Sequence, residues 1–178
     1  MATTTQLTKN TTMGEILQSF PSAQRALFTK YHIGGCSSCG FQPEDTLESV
    51  CKSHDIANVD EVIAHIVSSE DVDKKVQISA KDAAKVLKED KQAKLLDVRD
   101  EEEYRLAHIE GALLVNQTNF QQIMQWPKDT NILIHCHHGI RSMDAASYMI
   151  GHGFTNVRSV SGGIESWSQD VDPSVPRY

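Results

Sequence analysis

The chain has 178 residues, 39% of them hydrophobic and 23% charged, and a formal net charge of −7. That length allows one or two globular domains. The acidic balance argues against nucleic acid or an anionic membrane surface as a partner, and no apolar run approaches the ~20 residues of a membrane-spanning helix. Residues 1–11 are polar, threonine-rich and without the apolar stretch of a signal peptide, so they are expected to form a flexible tail. Four cysteines in such a chain point to a reducing, cytoplasmic setting, where thiols do chemistry or hold metals.

Residues 12–68 read as a small all-α domain. Thr12 is placed to cap a helix carrying Ile16, Leu17 and Phe20. Pro21 opens a second, with Ala23, Ala26, Leu27 and Tyr31 on one face, and Gly34-Gly35 ends it. Pro43-Glu44-Asp45 opens a third helix, with Leu47, Val50 and Cys51 on one side. Asn58 caps a fourth, on which Val59, Val62, Ile63, Ile66 and Val67 follow the 3.6-residue period. A domain this small gains only marginal stability from burial, so a metal, a disulfide or packing on a second domain would help it. Residues 69–75, polar and charged apart from Val72, are expected to be a linker.

Residues 76–178 alternate strand and helix. Strands are predicted at 76–78, 94–98, 112–115, 131–135 and 156–160, with helices from Ser79, through Glu101 to Glu103, at 120–126, at 141–152, and from Gly162-Gly163 through Trp167. Elements alternating at this length imply an α/β fold, a parallel sheet flanked by helices. The run Asn131 to His135 is almost wholly apolar, as expected of a strand buried on both faces.

That buried strand leads into Cys136, and a helix begins near Arg141. Ligands gather beyond the carboxyl ends of strands in open parallel sheets. Here that position holds a cysteine, the flexible backbone of Gly139 and a helix N-terminus. Loop N–H groups and the helix dipole both favour a thiolate, the nucleophilic form of cysteine. Arg141 is expected to orient an anionic substrate, and Ser142 to donate a hydrogen bond near the loop. His137, His138 and Ile140 complete the loop. Either histidine could tune Cys136 or bind a leaving group, or simply face solvent. His135 reads as packed, and Asp97 and Arg99, at the end of the neighbouring strand, as supporting residues.

LLDVRDEEEYRLAHIEGALLV (Leu95 to Val115), CHHGIRS (Cys136 to Ser142) and SGGIESW (Ser161 to Trp167) together resemble a single-domain rhodanese, over about residues 76 to 178. The resemblance implies that Cys136 takes the sulfane sulfur of thiosulfate, releases sulfite and holds a persulfide. A thiophilic acceptor, such as a thiol or a protein, then removes that sulfur, and no cofactor is required. His108 matches a scaffold motif of the family. Ala107 and Glu110 stand where glycine and proline are common, away from the loop. Related phosphatases and arsenate reductases carry one residue more between cysteine and arginine. The shorter loop from Cys136 to Arg141 therefore favours sulfur transfer over phosphate or arsenate chemistry. A sensor or binding module that holds sulfane sulfur without turnover is the alternative from another class.

Cys36-Ser37-Ser38-Cys39 can cycle between dithiol and disulfide, or supply two metal ligands. Cys51 and His54, three apart on a predicted helix, face one way. The set has the residue types of a zinc or iron–sulfur site. The segment TMGEILQSFPSAQRALFTKYHIGGCSSCG, with the later LESVCKSHDI, resembles small helical domains associated with a redox disulfide and the front of iron–sulfur repair proteins. Redox relay, metal binding and idle thiols all stay open. A dithiol beside a persulfide site suggests that Cys36 or Cys39 accepts the sulfur or liberates it as sulfide.

Overall fold

The computed structural model describes residues 7–20, 22–34 and 40–178. The chain divides into two compact units, one ending at Lys74 and the other running from Lys75 to Tyr178.

The first unit is helical: α1 (Met13–Ser19), α2 (Ala23–Tyr31), α3 (Leu47–Ser53) and α4 (Val59–Val76). Thr12 caps α1 in a reciprocal box with Glu15. Helix α3 starts at Leu47 behind a Thr46 cap, later than the predicted start at Pro43. Pro43 and Asp45 serve α1 instead. Their carbonyls accept the N–H groups of Gly14 at 2.9 Å and Met13 at 2.8 Å, while Thr11 and Lys9 return carbonyls to Leu47 at 3.0 Å and Glu48 at 2.9 Å. Two helix N-termini thus satisfy each other's orphan donors. Helix α2 stops at His32, which adopts φ 57°, ahead of the predicted Gly34-Gly35. Met13, Ile16, Leu27, Ile33, Leu47, Cys51, Val62 and Ile66 form the fully buried core.

Residues 69–75, expected to be a linker, are helical: α4 continues through them to Val76. Two polar contacts explain the difference. Glu70 Oε2 accepts the Ser22 hydroxyl at 2.8 Å, and Asp73, itself buried, pairs with Arg25. The charged residues therefore bind back onto α2 and the residue before it, and this stretch has neither Gly nor Pro to end a helix.

The second unit is a parallel five-stranded sheet in the order β1-β5-β4-β2-β3, made of β1 (Gln77–Ile78), β2 (Lys94–Asp97), β3 (Leu113–Leu114), β4 (Ile132–His135) and β5 (Val157–Val160). Its helices are α5 (Ala80–Glu89), α6 (Glu101–Leu106), α7 (Phe120–Met124), α8 (Ile140–Gly151) and α9 (Gly163–Asp170). This is the α/β architecture predicted, with most elements slightly shorter than their sequence signals. Strand β4 lies in the middle and is buried along its whole length. Side chains alternate across the sheet: Leu95, Leu133 and Val160 pack with Ala80, Ala83, Ile164 and Trp167 of α5 and α9. Leu96, Ile132, Ile134 and Val157 pack on the other face with Ile123, Ala146 and Met149 of α7 and α8.

Candidate active site

Strand β4 delivers Cys136 to the carboxyl edge of the sheet, and the thiol-bearing residue is 1% exposed. Two polar groups reach its sulfur. The Gly139 N–H donates to Sγ at 3.1 Å, and Ser142 Oγ lies 3.5 Å away on the first turn of α8. Ser159 of β5 donates its hydroxyl to Ser142 Oγ at 2.8 Å, which leaves the Ser142 proton for the sulfur. Both serines are fully buried. A buried hydroxyl pair of this kind is fixed in direction, because no water competes for it.

Helix α9 shapes the loop from behind. The N–H groups of Ile164 and Glu165 donate to the carbonyls of Cys136 at 2.9 Å and His137 at 3.3 Å. C=O and N–H of a trans peptide point in opposite directions, so the N–H groups of His137 and His138 turn away from α9. This close docking requires glycine at 163: its φ is +57°, and a Cβ there would sit 2.3 Å from both carbonyl oxygens. Gly139 likewise takes φ +98° as the residue before α8.

Arg141 is committed within the protein. Its Nη1 and Nη2 donate to the two carboxylate oxygens of Glu103, on α6, at 2.6 and 2.7 Å. These bonds hold the Glu103 carboxyl down at about 2. Tyr178 adds its hydroxyl to Glu103 Oε1 at 3.3 Å and receives a bond from Arg99. The sequence assigned Arg141 to anion binding; the structure gives it a carboxylate partner and leaves its side chain half exposed.

The other predicted residues separate into floor and rim. Asp97 and Arg99 form a fully buried pair with Nε–Oδ1 at 2.9 Å and Nη2–Oδ2 at 2.6 Å, and Arg99 also binds the Ala107 carbonyl at 2.7 Å. They tie β2 to the end of α6. His135 is wholly buried, and burial pushes its imidazole down to about 4, so it is neutral at physiological pH. His137 and His138 stack at 4.1 Å on the rim, and Tyr178 leans on His137 at 4.5 Å. Burial, with His138 beside it, lowers the His137 imidazole below its ordinary range. Ile140 is exposed, and His108 stacks on Tyr104 at 4.5 Å, a scaffold contact.

A family model for the rhodanese-like domain matches residues 79–170. The chain belongs to this family. A thiosulfate sulfurtransferase, GlpE, of Vibrio cholerae is 44% identical over 86 residues, covering 48% of this chain and 81% of that protein. An adenylyltransferase and sulfurtransferase, UBA4, of Candida albicans is 35% identical over 116 residues, 60% of this chain and 26% of that one. The reduced Bacillus anthracis CoADR-RHD structure matches in fold, with TM-score 0.51 and 21% identity over 67% of this chain and 21% of that one. The residues matched by the family model, 79–170, lie in the α/β unit and include Cys136.

Cys36 and Cys39 lie outside the described residues. Cys51 is fully buried in the apolar core of the helical unit, where burial pushes its thiol up. Helix α3 ends at Ser53, and His54 is its C-cap, with its N–H bonded to the Val50 carbonyl at 3.2 Å. Among the described residues no group of three or more His, Cys, Asp or Glu is placed to hold a metal. No helix among them is long and apolar enough to cross a membrane.

The sequence reading missed Ser159 and Glu103. Ser159 had a signal: a hydroxyl on the strand face that Val157 devotes to the core. Glu103 had none, since its capping box with Asp100 already explained it.

Proposed function

We propose that this protein is a sulfurtransferase that moves sulfane sulfur through a persulfide on Cys136. The observation that carries the reading is the Cys136 sulfur at the end of β4, with the Gly139 N–H and the Ser142 hydroxyl aimed at it. Those donors stabilise negative charge on sulfur, first as thiolate and then as persulfide. The similarity to a sulfurtransferase named for thiosulfate supports that donor. The Cys136 thiolate attacks the outer sulfur of thiosulfate, the donor S–S bond breaks, and sulfite leaves with the electron pair. A thiol or other thiophile then takes the outer sulfur and regenerates the thiolate, so the cycle needs no cofactor. Cys36 or Cys39 is our proposed acceptor within the chain, and a reducing compartment such as the cytoplasm suits both thiol groups.

Intact mass after incubation with thiosulfate tests the reading. Wild type should gain one sulfur atom and Cys136→Ala none. Failure of wild type to gain sulfur, together with absent turnover, overturns it. Unchanged sulfide release in Cys36→Ser and Cys39→Ser variants would remove the N-terminal dithiol from the cycle while leaving Cys136 in place.

A further inference from the structure

The guanidinium groups around the Cys136 loop are already matched by carboxylates. Arg99 is paired with Asp97, Arg141 with Glu103 through two bonds, and Arg177 with Glu165 at 2.8 Å. Glu103 is held by more than Arg141. Besides Arg141 it accepts the Tyr178 hydroxyl at 3.3 Å and the Asp100 N–H at 3.2 Å, and His137 Nδ1 stands 3.8 Å away. A side chain with so many partners does not swing aside to release Arg141 at small cost. The rim beside the sulfur thus carries a cation whose charge is cancelled within a hydrogen bond's length.

Cancellation has a consequence that depends on the charge of the sulfur donor. A dianion gains twice as much as a monoanion from an uncompensated cation at the same distance, and both lose that gain when a fixed carboxylate neutralises it. We infer that Glu103 is a specificity-determining residue: by occupying Arg141 it withholds positive charge from the site and turns donor preference from dianionic thiosulfate towards donors of lower charge, such as thiosulfonates and neutral-tailed persulfides. This rests on the sulfurtransferase reading and deepens it. Glu103 acts through Arg141 and does not touch the reacting atoms.

The test compares thiosulfate, a dianion, with methanethiosulfonate, a monoanion, each with excess cyanide as acceptor. Both deliver their outer sulfur to Cys136, releasing sulfite or methanesulfinate, and cyanide removes it as thiocyanate. In Glu103→Gln, kcat/KM should rise about fivefold for the monoanion and about 25-fold, the square of that factor, for the dianion, chiefly through KM. Added potassium chloride should shrink both gains, and the Glu103→Gln/Arg141→Gln double variant should lose them. A general disturbance of the loop would change both donors by one factor, and that result, or no change, overturns the inference. Glu103→Asp, which keeps the charge on a stem too short to hold both guanidinium nitrogens, should move the ratio the same way by less. If Glu103→Gln does not fold, an unmoved ratio in Glu103→Asp overturns the inference. Wild type taking sulfur from neither donor overturns the sulfurtransferase reading itself. Transfer from both donors at a ratio that the variants leave fixed overturns only the role of Glu103.

Discussion

Cys136 and Cys51 are equally hidden, at 1% and 0% exposure, yet their surroundings have little in common. Cys51 sits among Met13, Ile16, Leu47, Val50 and Val62, in an apolar core where burial favours the neutral thiol. Cys136 is equally shut in, but a backbone N–H and a serine hydroxyl point at it. Burial by itself silences a thiol. Burial with fixed donors supports an anion, because the donors do not have to be gathered from solvent when charge appears. The helical unit packs Cys51 into its apolar core, whereas Cys136 is the cysteine we propose as the reagent.

The contrast can be broken most severely at Gly163. Gly163→Ala places a methyl group against the carbonyls of Cys136 and His137 at a positive φ, so the loop must shift. We expect a loss of about 3 kcal/mol in stability and about 100-fold in the rate of persulfide formation, read by melting and by stopped-flow mass analysis. An unchanged rate would mean that α9 does not shape the loop.

Acid probes the polar rim. The Glu103 carboxyl is depressed from 4.5 to about 2, so its contribution is complete above pH 4.5 and is lost as pH falls towards 2. Unfolding free energy should fall by on the order of 2 kcal/mol across that window from this group, and Glu103→Gln should flatten the decline. Urea titrations at a series of pH values would measure it.

A finer cut is Ser159→Ala. It removes the bond that directs the Ser142 hydroxyl, and persulfide formation at neutral pH should slow about fivefold, equivalent to one hydrogen bond of ~1 kcal/mol. A merely structural serine would lower the melting temperature and leave that rate in place. The smallest effect on sulfur chemistry belongs to Cys51→Ser, which should cost ~1–3 kcal/mol in stability and leave the rate of Cys136 persulfide formation unchanged below the melting range.

What could be read from the sequence follows the range of the interactions. The buried strand before Cys136, the glycine in its loop and the helix after it are neighbours in the chain, and their periodicity and composition are local signals. Thr12, Asn58 and Ser79 were equally legible as caps, since a cap acts over three residues. The partners of the loop were not. Ser159, Glu103 and Ile164 reach it from β5, α6 and α9, and nothing local to those residues marks them as its neighbours. The helical state of residues 69–75 was hidden for a related reason. Their polarity suggested solvent, but Glu70 and Asp73 spend their charge on Ser22 and Arg25, 48 residues away. Arg141 is the instructive middle case, because its location was foreseen and its partner was not.

The strand order carries one more consequence, for a chain still being translated. Strand β1 pairs with β5 alone, and the carbonyls of Cys136 and His137 are held by α9, which follows β5. A ribosome therefore delivers Cys136 before the strand that supplies Ser159 and before the helix that orients its loop. Until those segments emerge, β1 waits without a partner and Cys136 is an ordinary cysteine on an unfinished sheet. Such late, long-range closure slows folding, and it also means that the surroundings of the Cys136 sulfur are assembled together with the last part of the sheet, not ahead of it.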